Sequence, residues 1–390
     1  MQISFDTIVI QLSMIVVSAA IIGTAFLYAR QPIILAYIVA GILIGPSGFD
    51  LIPNANNIEQ IAHVGVILLL FLLGLHLQPR KLLLLFQKTA LITLGTSLLF
   101  FSASFVFALS MGMPLKEALV IGAALMFSST VIGLKLIPTT ALHHKHIGEV
   151  MTSVLLLQDI LAIMVILFLN IDAGEAMLTT FAMLLVKLVG IAILAFAGVR
   201  FIVLPLFRRF DVIQEYTFVA TLAWCLFWAE AAHQLGLSYE IGAFLAGLSI
   251  AVSQVAMAIA EHLKPLREFF LILFFFAIGA QFDAGMAPFL MLSGFCFGVV
   301  LVGLKVLSFK KAFIWTGEDR AISQQLGVRL GQASEFSMLV AFSALSSGVL
   351  SSEGATLIQS ATIATFIFST YWVVKRYPTP ISTKPKLRRD

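Results

Sequence analysis

Thirteen apolar segments govern what this chain can fold into. They run over about 7–28, 32–45, 60–77, 89–110, 116–136, 148–170, 176–204, 213–235, 240–253, 267–281, 286–308, 321–347 and 355–374. Hydrophobic residues make up 60% of the 390 and charged residues only 11%. A soluble core does not bury that apolar fraction, so the expected class is an all-α polytopic membrane protein. The first run, Thr7 to Tyr28, lacks a basic n-region and is long enough to span, which argues against a cleaved signal. Segments 32–45 and 240–253 are the shortest and need extension, tilt or burial among other helices. Cys225 and Cys296 both fall inside apolar runs and give no disulfide framework.

The basic residues orient the segments. With the N-terminus outside, the inside loops hold Arg30; Arg80, Lys81 and Lys88; Lys135 and Lys145; Arg200, Arg208 and Arg209; Lys264 and Arg267; and Lys310, Lys311 and Arg320. The tail adds Lys375, Arg376, Lys384, Lys386, Arg388 and Arg389, making 20 of the 24 basic residues. Outside loops hold only Lys116; Lys187, Lys305 and Arg329 lie within segments. This asymmetry predicts thirteen spans, an outside N-terminus and a cytoplasmic C-terminus. It also accounts for the net charge of +4 without nucleic acid as a partner.

Thirteen divides as six, one linker and six, and an offset of seven makes the second six run inverted to the first. Segments 2 (AGIL, 40–43) and 9 (AGLS, 246–249) are the two short ones and stand seven apart. Segments 5 and 12 are also seven apart, and each is interrupted by small polar residues. Inverted repeats with paired broken helices are transporter architecture, with the site at the midplane where the breaks meet.

Asp159, in LLLQDILAIMVILF, lies about 15 Å from either end of its segment at the helical rise. An unpaired carboxylate at that depth costs at least ~2.5–3.5 kcal/mol, so it marks a cation- or proton-binding site. Gln158 supplies a neutral ligand beside it. One titrating carboxylate holds one monovalent cation or one proton, which favours one-for-one, electroneutral exchange. In segment 5, Ser128, Ser129, Thr130 and Gly133 support an unwound stretch whose carbonyls face a cavity; the alternative is hydroxyls bonding back within a continuous helix. The matching interruption in segment 12 favours unwinding.

Segment 12 carries Arg329 and Glu335, six apart and therefore on different faces. Their expected role is to neutralise the ends of broken helices. Lys305 has two open roles: snorkelling to the cytoplasmic end, or pairing with Asp159 until a cation displaces it. Glu230 and His233 read as a local hydrogen bond rather than a metal site. His143, His144 and His146 read as a solvated loop. No H-E-x-x-H, G-x-S-x-G or P-loop is present, so the chain is not read as an enzyme or an ATP-driven pump.

Seven motifs in order carry a family resemblance: PIILAYIVAGILIGPSGF (32–49), LLLFLLGLHLQPRKL (68–82), SSTVIGLKLI (128–137), LLLQDI (155–160), LGLSYEIGAFLAGLSIA (235–251), FFFAIGAQFD (274–283) and LGQASEF (330–336). With these the chain resembles the membrane domain of Kef-type potassium:proton antiporters, within the second monovalent cation:proton antiporter family. The resemblance implies the sodium/proton antiporter fold: a six-plus-six inverted repeat, a linker helix and two broken crossing helices.

The same resemblance implies a homodimer and an elevator motion. Residues 1–85 and 211–284 would form the dimer scaffold, 86–172 and 285–377 the mobile core, 173–210 the linker and 378–390 a basic cytoplasmic tail. Asp159 would bind cation and proton in turn, with Gln158, Ser129 and Thr130 completing the site and Lys305, Glu335 and Arg329 as supporting charges. Gln at 158 is similar to the potassium exchangers, whereas Asp or Asn there is typical of sodium exchangers. Ala333 and Ser334 stand where the family usually has Gly. The chain reaches a short tail with Pro378, Pro380 and Pro385 and carries no nucleotide-binding domain, so no cofactor and no glutathione or nucleotide gating are expected.

The expected function is exchange of a monovalent cation, potassium before sodium, for protons across the inner membrane, within lipid. A cation channel and a non-transporting membrane sensor subunit are the alternatives.

Overall fold

The computed structural model describes residues 5–29, 31, 33–52, 64–68, 70–72, 74–75, 79–137, 146–169, 177–210, 213–237, 239–253, 255–280 and 288–379. Arg30, His143, His144, Lys145 and the tail from 380 onward lie outside the described residues. The described secondary structure is helical apart from an isolated bridge at Thr379. Helices satisfy their own backbone polar groups, which an apolar surround requires. Among the described residues, six helices are long and apolar enough to cross a membrane, and three shorter apolar helices accompany them.

The chain divides into two compact units: residues 1–11, 54–83 and 166–277, and residues 12–53, 84–165 and 278–390. Helix α1 (Phe5–Tyr28) runs from the first into the second.

The first unit contains the helical residues between 64 and 75 (α3), α8 (Met177–Gly198), α9 (Leu204–Phe210), α10 (Gln214–Gln234), α11 (Tyr239–Ala251) and most of α12 (Ala256–Ala280). The expected short segment at 240–253 is α11. It packs by small residues: a Cβ on Gly247 would strike the Phe71 carbonyl, and one on Gly74 would strike the Phe244 carbonyl. Such close backbone approach is how apolar helices associate where lipid removes the hydrophobic drive. Between α8 and α9 the helix widens into a π segment, Val199–Val203, with the Leu204 N–H donating to the Val199 carbonyl. Pro205 follows; it has no N–H and its ring crowds the preceding turn, which the wider turn accommodates. Helix α12 begins at Ala256, eleven residues ahead of the expected 267, so Glu261, Lys264 and Pro265 lie within a helix rather than a loop.

Glu230 and His233 do not form the expected pair. Glu230 Oε1 accepts from Gln234 Nε2 at 2.6 Å, one helical turn on. The His233 ring stacks on Tyr239 at 4.1 Å between centroids.

The second unit holds α2 (Ile33–Ile44), most of α4 (Pro79–Ser110), α5 (Leu115–Leu125), α6 (Thr130–Lys135), most of α7 (His146–Leu169), α13 (Pro288–Trp315), α14 (Arg320–Arg329), α15 (Glu335–Ser346) and α16 (Ser352–Arg376). Expected segments 5 and 12 are each two helices separated by non-helical residues, 126–129 and 330–334. Each restart is set by a serine. Ser129 Oγ accepts from the Ile132 N–H at 3.0 Å and Ser334 Oγ from the Phe336 N–H at 3.1 Å, the N-cap arrangement.

Helix α16 splints the second break and is held along its length. At its start, the Glu117 carboxylate on α5 accepts from Ser351 N at 3.1 Å and Ser351 Oγ at 2.5 Å. Midway, Thr365 Oγ1 accepts from Ala333 N at 2.9 Å, and Ser369 Oγ donates to Gln332 Oε1 at 2.8 Å. Against α13, a Cβ on Gly298 would collide with the Ala361 carbonyl, so the two backbones meet directly. At its far end, the Pro378 carbonyl accepts from Arg329 Nη2 at 2.7 Å.

Candidate ion site

The two breaks meet in the second unit. Ser128 Oγ donates to the Leu330 carbonyl at 2.8 Å, and Gln332 Nε2 to the Ser129 carbonyl at 3.4 Å. Freed backbone groups away from water need partners, and here side chains provide them. The Ser128 N–H donates to Gln158 Oε1 at 3.0 Å. The Ala124 carbonyl, at the end of α5, accepts from Ser337 Oγ at 2.6 Å. The Leu136 carbonyl, just past α6, accepts from Arg329 Nη1 at 2.8 Å.

Asp159 sits on α7 with 1% of its surface exposed. Its two carboxylate oxygens accept from the Thr130 hydroxyl at 3.1 and 3.0 Å. No basic side chain forms an ion pair with it among the described residues. A charge so placed needs a proton or a cation to neutralise it.

Glu335 is the second carboxylate. It is buried at the first turn of α15, accepts from Ser129 Oγ at 2.6 Å, and is an electrostatic neighbour of Asp159. Both carboxylates lie by residues that begin helices, Thr130 and Glu335, where exposed N–H groups favour negative charge. Ser129 and Thr130 thus serve different carboxylates.

Neither the snorkelling nor the Asp159-pairing expectation describes Lys305, whose contacts are with helix ends. It is fully buried, so it does not snorkel. Its ammonium donates to the Phe127 carbonyl and, at 3.5 Å, to the Gln332 carbonyl, and lies 5.1 Å above the centre of the Phe100 ring. These carbonyls follow the C-terminal ends of α5 and α14, where helix dipoles favour positive charge. The expected Asp159 pairing is absent because the carbonyl ends take the ammonium.

Gln158 is fully buried, its carbonyl is engaged by the Ser128 N–H, and its amide donates to Ser97 Oγ on α4 at 3.3 Å. In this arrangement it braces the break. Arg329 lies apart from Glu335, as their six-residue spacing implies, and holds the Leu136 and Pro378 carbonyls.

Of the seven residues singled out in the sequence, Ser129, Thr130, Gln158, Asp159, Glu335 and Lys305 converge on the two breaks; Arg329 does not join them. Sequence reasoning missed Gln332, Thr365, Ser337 and Ser97. The available signal was an excess of hydroxyl and amide residues on apolar helices. His146, the described member of the histidine trio, begins α7 and contacts Glu318 Oε1 through Nε2 at 2.8 Å.

Residues 14–376 match the family described as sodium/hydrogen exchanger, transmembrane. The iron transporter MagA of Paramagnetospirillum magneticum is 28% identical over 377 residues, 93% of this chain and 84% of MagA. The glutathione-regulated potassium-efflux system protein KefC of an Enterobacter species is 31% identical over 340 residues, 84% of this chain and 54% of KefC. K(+) efflux antiporter 4 of Arabidopsis thaliana is 33% identical over 281 residues, 69% of this chain and 47% of the plant protein. The chain therefore spans about half the length of these two potassium-efflux relatives. The sodium proton antiporter MjNhaP1 of Methanocaldococcus jannaschii, solved at pH 8, superposes with a TM-score of 0.70 at 15% identity, covering 94% of this chain and 95% of that one. The shared fold, the membrane-length helices and the match over residues 14–376 place this multi-pass membrane protein, a transporter and not an enzyme, in the sodium/hydrogen exchanger transmembrane family of cation/proton antiporters.

Proposed function

We propose that the chain exchanges potassium, or sodium as second choice, for protons across the inner membrane, with Asp159 holding cation and proton in turn. The observation that carries this reading is Asp159 itself: a buried carboxylate, mid-helix, beside two helix breaks, neutralised by no basic side chain among the described residues. Potassium is favoured by the names of the efflux relatives. MagA's name brings iron into the set of ions to be tested. Thr130 Oγ1 meets the Asp159 carboxylate and Ser129 Oγ meets Glu335, an electrostatic neighbour of Asp159; oxygens of this kind are hard donors suited to an alkali cation.

Cation and proton occupying one carboxylate alternately give electroneutral exchange. In this proposal thirteen helices form a six-plus-six inverted repeat with the N-terminus outside and the C-terminus cytoplasmic. Residues 86–172 and 285–377 move as an elevator against 1–85 and 211–284, joined by 173–210, in a homodimer. The basic loops support the orientation.

Reconstitution in liposomes with a trapped pH dye tests the reading. An imposed pH gradient, followed by potassium, sodium, lithium or ferrous ion, should dequench with wild type and not with Asp159→Asn. Equal signals from both would remove Asp159 from the mechanism. A signal that changes when the membrane voltage is clamped would overturn the one-for-one stoichiometry. Conductance far above exchanger turnover, without proton movement, would make the protein a channel.

A further inference from the structure

Lys305 presents an electrostatic arrangement that the exchange reading does not use. Its side chain has no exposed surface, and no carboxylate pairs with it among the described residues. Its contacts are the Phe127 carbonyl, the Gln332 carbonyl and the face of Phe100. The two carbonyls come from different breaks, 126–129 and 330–334, so one cation spans both. Each follows the C-terminal end of a half-helix, where unsatisfied carbonyls concentrate negative potential. The ring adds its negative face, and Phe309 packs edge-on against Phe100 at 5.3 Å, closing that side with apolar surface.

Carbonyl oxygens in place of water, with no full negative charge, are the ligand type that strips and holds monovalent cations. An ammonium group and a potassium ion share charge and approximate size. We propose that the Lys305 ammonium is a tethered occupant of a monovalent-cation cradle, built from the Phe127 and Gln332 carbonyls and the Phe100 ring, that accepts free ammonium-type cations once the side chain is cut back. The cradle is distinct from the Asp159 carboxylate, which faces the Thr130 hydroxyl three residues beyond Phe127. Lys305 is therefore a positioning residue that holds the two breaks together, and the inference stands whether or not Asp159 carries the transported ion.

Truncation to alanine removes Cγ, Cδ, Cε and Nζ, the atoms of propylammonium. The test is thermal unfolding of the full chain in detergent, wild type and Lys305→Ala, titrated with propylammonium, ammonium, potassium or lithium at constant ionic strength set with choline. Lys305→Ala should melt lower than wild type and regain part of the difference in a saturable way, propylammonium acting at the lowest concentration, then ammonium and potassium. Wild type should show no matching increment from propylammonium, since its own side chain fills the cradle. A folded Lys305→Ala that responds no more than wild type would overturn the proposal. Lys305→Met covers the case in which the alanine variant does not fold. Its methyl fills the space and donates nothing, so it should melt roughly 2–5 °C below wild type and ignore propylammonium. A methionine variant as stable as wild type would equally sink the idea.

Discussion

Lys305 and Asp159 bracket one break from opposite sides. The ammonium takes the Phe127 carbonyl at the trailing end of α5, and the carboxylate takes the Thr130 hydroxyl at the leading end of α6. A broken helix has two ends of opposite polarity, and each charge sits where the dipole favours it. In this reading the ammonium is proposed to be a prop, not a competitor for the carboxylate. Replacing Lys305 by Ala should lower the maximal exchange rate while the apparent cation KM stays within about threefold of wild type. Concentration series in liposomes separate the two; a KM that falls by far more than that would restore competition between lysine and cation.

Protons and cation share Asp159 in the proposed cycle. The apparent cation KM should therefore rise as pH falls, in proportion to proton concentration, while the rate at saturating cation changes little. Exchange measured across a pH series at several potassium concentrations checks this. Maximal rate falling with KM constant would point to a proton acting elsewhere.

Ser129 and Glu335 form one bond and should behave as one unit. Ser129→Ala and Glu335→Leu each remove it, so their effects on cation affinity should not add; a coupling of roughly 0.5–3 kcal/mol is expected for residues in direct contact. A double-mutant cycle on KM supplies the measurement, with Glu335→Asp as partial rescue. Strict additivity would mean that Glu335 acts independently of Ser129.

Gln158 should matter as a brace. Gln158→Leu leaves the Ser128 N–H buried without its acceptor, a loss of about 1–3 kcal/mol. Gln158→Glu keeps an acceptor there and should keep more of the stability. Denaturation of the two purified variants compares them, and a leucine variant as stable as the glutamate one would contradict the bond's importance.

Arg329 joins the end of α6 to the segment after α16. Arg329→Gln replaces the two guanidinium nitrogens by a single amide nitrogen on a shorter side chain, so a loss of about 3 kcal/mol is expected. Lower melting with the Asp159-dependent signal still detectable is the anticipated outcome. Unchanged melting would show that water replaces the guanidinium.

The sequence by itself determined the membrane class, the deep carboxylate and both interruptions. Apolar length, loop charge and hydroxyl clusters are local properties, readable without knowing any contact. Ser129 and Ser334 signal the helix restarts because an N-cap acts within its own next turn. Partners across the chain were not readable. Lys305 lies 178 positions from Phe127, and Ser129 lies 206 from Glu335. Whether a buried lysine faces a carboxylate or two carbonyls depends on which helix ends the packing brings to it. The close contact of α13 with α16 and the meeting of the two breaks decide that. Sequence spacing named the charges, and tertiary structure alone assigned Asp159 to Thr130, Gln158 to a backbone N–H and Lys305 to the carbonyl ends.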